Sequence, residues 1–175
     1  SAVPLDRALA MTAPDGSEQI MCLTVRPATP TGKIELYSEE METKYGRGVP
    51  MFDPTPQDLP FVLVSPSSDK RTNATFGGCD ASAGVEILEI NPTDAEALGL
   101  KAGDMVEVSN ARGRVALKAH PTDAVRPGVL YSPKGTWLKA SPTGQTVNAL
   151  IPSDVRVDIE GGAAYNETFV EVRRM

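Results

Sequence analysis

Residues 91 to 108 read NPTDAEALGLKAGDMVEV, and within them a helix stops, a turn follows and a strand begins. Asn91 is a natural N-cap, Pro92 suits the first helical position because it has no N–H to lose, and Asp94 places negative charge in the first turn. Gly99 terminates the helix, since glycine enters the left-handed region at no steric cost. Lys101-Ala102-Gly103-Asp104 then turns the chain into an alternating strand, Met105 to Ser109. Asn110-Ala111-Arg112-Gly113 turns it again into Arg114 to Ala119, and Val125-Arg126-Pro127-Gly128 leads into Val129 to Ser132. Such a run is compact and mostly antiparallel.

The same grammar extends outward. Upstream, Phe61 to Val64 and Val85 to Ile90 read as strands; downstream, Val147 to Ile151 is a short apolar candidate and Thr168 to Val172 a closing strand. With 15 Gly and 15 Pro, turns are frequent and the apolar segments stay short. A small β-barrel with one or two short helices is expected over residues 61 to 175. Ahead of it, Arg7 to Thr12 and Glu18 to Val25 flank the turn signal Pro14-Asp15-Gly16-Ser17 and predict a hairpin. Between them and the barrel, prolines 27, 30, 50, 54, 56 and 60 favour an extended connector over residues 26 to 60.

Composition narrows the function classes. The chain has 175 residues, 41% apolar and 23% charged, as soluble globular chains have. No apolar run approaches the roughly 20 residues that span a bilayer, no signal-peptide pattern opens the sequence, and no direct membrane insertion is expected. A net charge of −6 argues against broad nucleic-acid binding. Cys22 and Cys79 lie far apart with no second ligand at metal spacing, and are expected reduced and partly buried. No metal site is assigned.

Catalytic constellations are lacking. His120 is the sole imidazole and sits in an alternating stretch, as a surface strand residue would, and no G-x-S-x-G elbow accompanies it. Neither G-x-G-x-x-G nor a Walker sequence occurs. The positive signal is SPSSDKRTNATFGG, residues 65 to 78, which supplies hydroxyls, an amide and two cations of the kind that hold anions. An exposed polar loop would have the same composition. Trp137, between Lys134 and Lys139, suits either a stacked flat ligand or the edge of a core. Asn148, within an apolar run, suits either a structural hydrogen bond or the reading of a base edge.

Taken together, these segments resemble the C-terminal domain of the molybdopterin oxidoreductases, the group of dimethyl sulfoxide reductases, periplasmic nitrate reductases and formate dehydrogenases. Residues 29 to 38, TPTGKIELYS, look like the lead-in to that domain. The likeness continues through Phe61 to Ser65, Asn73, Ile90 to Ala95, Ala102 to Val106, Val125 to Val129, Asn148-Ala149-Leu150, Gly161-Gly162 and Val170-Glu171-Val172. It implies a mainly β fold, a six-stranded double-psi β-barrel of the aspartate decarboxylase-like kind with short helices. Residues 1–25 would be a hairpin tail of a preceding domain.

The resemblance also implies a function: helping to hold a bis-molybdopterin guanine dinucleotide cofactor, with molybdenum or tungsten, for oxygen-atom or electron transfer. Its cofactor-facing positions map to Ser65, Lys70, Arg71, Asn73, Thr75, Lys134, Asn148, Tyr165 and Asn166. Lys70, Arg71 and Lys134 stand where many relatives carry a histidine. No catalytic residue is implied in this chain, which by itself is expected to be inactive. The partners implied are upstream domains of the same polypeptide, which carry any iron–sulfur cluster, and separate iron–sulfur or membrane-anchor subunits. The compartment implied is cytoplasmic or periplasmic.

Two other readings share parts of this pattern. A stand-alone double-psi barrel used for protein interaction would have the same turn chemistry without needing residues 29 to 38 or Asn148. A self-cleaving pyruvoyl decarboxylase would need its Gly-Ser pair in the barrel, whereas Gly16-Ser17 lies in the hairpin.

Overall fold

Six strands form a closed barrel: β1 (Phe61–Val64), β2 (Ile87–Ile90), β3 (Met105–Asn110), β4 (Gly113–Pro121), β5 (Val129–Tyr131) and β6 (Thr168–Arg174). The computed structural model describes residues 16, 20, 23, 25–52, 54, 56–141, 143–154, 162 and 166–175. They fall into two compact units, one before residue 54 and one from Pro54 to Met175. The hairpin expected over residues 7 to 25 lies almost wholly outside the described residues, as do Cys22 and Tyr165.

Around the barrel the order is β1-β5-β2-β4-β3-β6, with β6 returning to β1. Pairs β1–β5 and β2–β4 are parallel, and the other four are antiparallel. This order forces crossings. From β1 the chain passes over β5 to reach β2, and from β5 it passes over β1 to reach β6, so the β1–β2 and β5–β6 connections cross at one end. At the other end, β2 to β3 must cross β4 to β5 in the same way. Two such crossings make the barrel a double-psi barrel.

Alternation explains the strands. Buried and partly exposed residues alternate along β1, β3, β4 and β6, which turns Leu63, Val106, Val108, Val115, Leu117, Val170 and Val172 inward. Leu88, Ile90 and Leu130 complete the core, and Ala95 and Leu100 seal one end from the helix-turn segment. Full burial of each leucine or isoleucine contributes about 1.5–3 kcal/mol.

The opening segment folds as its residues dictate. Helix α2 (Pro92–Ala97) starts where the Asn91 carbonyl oxygen Oδ1 accepts from Thr93 N at 3.0 Å, and Gly99 has φ +65°. The crossing at this end is pinned by the same helix: Asn91 Nδ2 donates to Val125 O at 2.8 Å, and Gly128 N donates to Asp94 Oδ2 at 2.7 Å.

Two expectations change. The connector contains helix α1 (Glu39–Tyr45), because residues between Pro30 and Pro50 are free of proline and Ser38 Oγ caps Met41 N at 3.2 Å. Glu39, Glu40 and Glu42 face the positive helix start, and Gly46 ends it at φ +67°. Val147 to Ile151 is no strand but a 3₁₀ turn, Val147–Ala149. Val147 and Leu150 are both buried, a spacing of three that a helical turn satisfies and strand alternation does not.

Leu130→Ala leaves a cavity at the centre of this core, and urea unfolding should show a loss of about 2–5 kcal/mol. Asn91→Ala removes a cap and one pin of the far crossing together; it should cost about 1–2 kcal/mol in the same assay, with the slope of the transition unchanged.

Candidate functional site

Strand directions bring the site segments to one end of the barrel. The register Leu63↔Leu130 with Leu63↔Thr168 puts the exits of β1 and β5 beside the start of β6. Ser109↔Glu171 and Asn110↔Gly113 put the β3–β4 turn there as well, and Glu89↔Tyr131 adds the start of β2. Residues 65–86, 110–113, 132–141 and the start of β6 therefore share this end.

The loop after β1 is a chain of tight turns. Bridges pair Ser68 with Arg71 and Thr72 with Thr75, and Thr75 N, Gly77 N and Cys79 N each bond back to a carbonyl three residues earlier. Asn73 takes φ +51°, which its short amide side chain tolerates. Phe76 takes φ +67°, an uncommon conformation for a bulky residue, and its carbonyl accepts from Ser82 Oγ at 2.5 Å. Cys79, a free thiol, is exposed and not partly buried as its sequence context suggests.

The second loop crosses the first in direct contact. Ser132 N donates to Val64 O at 3.2 Å and Lys134 N to Pro66 O at 3.0 Å, which carries the parallel β1–β5 ladder past the strand ends. Gly135, at φ +90°, lies so close to Asn73 that an added Cβ would stand 1.9 Å from the Asn73 carbonyl oxygen. Two main chains meet here with no room for a side chain.

Arg71 is buried at this crossing. Its residue surface is 3% exposed; Nε donates to Lys134 O at 3.3 Å, Nη2 reaches Pro133 O at 3.4 Å, and Nη1 pairs with the Glu86 carboxylate. Glu86 precedes β2 and was not singled out by the sequence, because nothing local marks a carboxylate as the partner of a cation in another loop. Removing one partner of a pair this buried costs about 3–5 kcal/mol. Arg71 and Glu86 line a small cavity of about 20 Å³ with Ser132, Thr136, Gln145 and Val147. The cavity has room for one water-sized group, and the buried Thr136 hydroxyl has no hydrogen-bond partner among the described residues.

The residues predicted to face a ligand separate into kinds. Ser65 is fully buried and donates to Ser132 O at 2.8 Å, and Arg71 is engaged as above. Lys70, Asn73 and Thr75 are exposed on the first loop, and Lys134 is half-buried at the crossing. Asn148 is exposed, with no side-chain hydrogen bond among the described residues. Its turn is tied to the start of β6 through Asn110 Nδ2, which donates to Leu150 O at 2.8 Å and Phe169 O at 3.3 Å. Asn166 is exposed just before β6. Trp137 is 54% exposed and not a core cover, and it stands near Gly77. Tyr131, at the exit of β5, keeps its proton: burial raises its pKa, aided by Glu89 and Asp69.

This donor set fits an anionic, planar-ringed ligand: ammonium groups, hydroxyls and amides lie at one end beside exposed aromatic faces. Comparison with known proteins supplies the class. The sequence profile of the molydopterin dinucleotide binding domain matches residues 61–169. The chain is therefore a domain of the kind that binds molybdopterin dinucleotides, and it belongs to the molybdopterin oxidoreductase family.

Its relatives are large. It is 36% identical over 152 residues to a probable oxidoreductase YoaE of Bacillus subtilis, covering 84% of this chain and 22% of that protein. It is 34% identical over 140 residues to a probable dimethyl sulfoxide reductase chain YnfF of Escherichia coli, covering 69% and 17%. A trimethylamine-N-oxide reductase of Pasteurella multocida is 34% identical, with 70% and 17% covered. The chain thus spans about a fifth of the relatives it matches. Acetylene hydratase from Pelobacter acetylenicus has the same fold, with a TM-score of 0.64 at 21% identity over 86% of this chain and 24% of that one.

Gly135→Ala should force the two loops apart and cost about 2–3 kcal/mol in urea unfolding. Gly144→Ala, where φ is +67° and nothing lies within 4 Å, is the control and should cost about 1 kcal/mol.

Proposed function

We propose that this chain is the C-terminal part of a larger molybdenum or tungsten oxidoreductase and supplies one wall of a bis-molybdopterin guanine dinucleotide site. The observation that carries the reading is the crossing of the two long loops at one barrel end, with Lys70, Asn73, Thr75 and Asn148 exposed around it. The lysines and hydroxyls would hold pyrophosphate, and the amides a guanine or pterin edge. The bound group supplies the redox chemistry; the protein binds, orients and shields it.

The remaining enzyme would come from upstream domains of the same polypeptide, with an iron–sulfur cluster there or in a partner subunit. A membrane-anchor subunit and a cytoplasmic or periplasmic setting complete the proposed assembly. Alone, the chain would be inactive and would grip the cofactor weakly, since half of each contact set lies elsewhere. The reading as a stand-alone interaction module loses ground to the match with these oxidoreductases.

Guanosine diphosphate carries the guanine and pyrophosphate of the cofactor and serves as the probe. Titrated into the isotopically labelled chain, it should shift the amide resonances of residues 67–77 and 134–140 and of Asn148, with an affinity weaker than micromolar. Shifts confined to the opposite barrel end, or none, would refute the site; submicromolar affinity would refute the half-site argument.

A further inference from the structure

We propose that Arg71 is a positioning residue for this site and not a ligand of the cofactor: with Glu86 it locks the two crossing loops into a single binding surface. The inference rests on the reading given under Proposed function and deepens it. Each part of the guanidinium is directed at protein. Nε and Nη2 bond the carbonyls of Lys134 and Pro133 in the opposite loop, and Nη1 pairs with Glu86 at the start of β2. The side chain is 1% exposed and that of Glu86 25%, so the pair faces inward, toward the cavity beneath the loops.

Beside the strand ends the two loops are tied by Ser132 N to Val64 O, Lys134 N to Pro66 O and Ser65 Oγ to Ser132 O, and Arg71 is the tie further out along the first loop. Gly135 gives the crossing no side chain, and the apposed Asn73 and Gly135 main chains meet without a hydrogen bond between them. At the far crossing, Asn91 and Asp94 do the same work by bonding Val125 O and Gly128 N. Arg71 is the equivalent at the ligand end, where a longer reach spans two successive carbonyls. Its planar fork with several fixed donors is what lets one side chain serve three acceptors; a lysine ammonium cannot hold them in that geometry. Glu86 cancels its charge, so an incoming phosphate meets the exposed Lys70 instead.

The experiment compares Arg71→Lys, Glu86→Gln and Lys70→Ala in the full 175-residue chain, by amide hydrogen exchange and by guanosine diphosphate titration. A lock predicts that Arg71→Lys and Glu86→Gln both speed exchange across residues 66–77 and 133–137 by about tenfold or more and both weaken the nucleotide. Lys70→Ala should weaken the nucleotide with loop exchange unchanged. If Arg71 were instead a phosphate ligand, Glu86→Gln would free its charge and tighten binding, loop exchange would stay as in the parent, and the proposal would fall. Glu86→Gln keeps size and shape, so it decides the matter even where an Arg71 variant fails to fold. If the parent chain itself gives no shift with the nucleotide, the functional reading falls and takes the positioning role with it; faster exchange in the variants would then mark a structural brace only.

Discussion

Parallel pairing inside a closed barrel is the constraint on which this molecule turns. Parallel neighbours cannot be joined by a tight hairpin, so β1–β5 and β2–β4 each oblige the chain to leave the barrel, pass over a strand and return. Two departures at each end must then cross. At the end where β2 leaves, the crossing is short and is closed by a capped helix. At the end where β1 leaves, the same topology spends far more chain, residues 65–86 and 132–167. The groups proposed to bind, Lys70, Asn73, Thr75 and Asn148, lie in these connections, where chain not needed for the barrel is found.

The crossing explains the chemistry of its residues better than composition does. A backbone passing over another backbone needs a residue with no Cβ, and Gly135 supplies it against Asn73. Main-chain carbonyls left without a ladder partner need donors, and Arg71 supplies two, to Lys134 O and Pro133 O. Ser65, fully buried, satisfies Ser132 O in the same way. What remains for a ligand is the outer shell of the loops: Lys70, Asn73, Thr75 and Asn148, together with the exposed rings of Phe76 and Trp137.

How much of this was legible depends on the range of the interaction. The segment from Asn91 to Val108 was readable because cap, proline, glycine and alternation all act within a few residues. The strand at Phe61–Val64 and the hairpin through Asn110 to Gly113 were readable for the same reason. Val147 to Ile151 was not, since a short apolar run suits a strand or a buried turn equally and only the core decides. Helix α1 was hidden by the prolines on either side of it. The loop at 65 to 78 was recognised as polar, but burial of Arg71 and exposure of Trp137 depend on residues far along the chain, Glu86 and the 132–137 segment among them.

A chain of net charge −6 that holds a pyrophosphate must do so locally. Salt screens exposed charges beyond roughly 8–10 Å, so the charge summed over the whole chain says little about the loops. Within residues 65–86 and 132–167 the carboxylates outnumber the cations: once Arg71 and Glu86 cancel, Lys70, Lys134, Lys139 and Arg156 stand against Asp69, Asp80, Asp154, Asp158, Glu160 and Glu167. Recognition here cannot rest on field strength alone. It must come from oriented hydroxyl, amide and main-chain groups, whose individual bonds contribute only about 0.5–1.5 kcal/mol net and hold a ligand only when several converge. That convergence requires the two loops to stay in register with each other, and it is the geometry at Gly135, Asn73 and Arg71 that keeps them there.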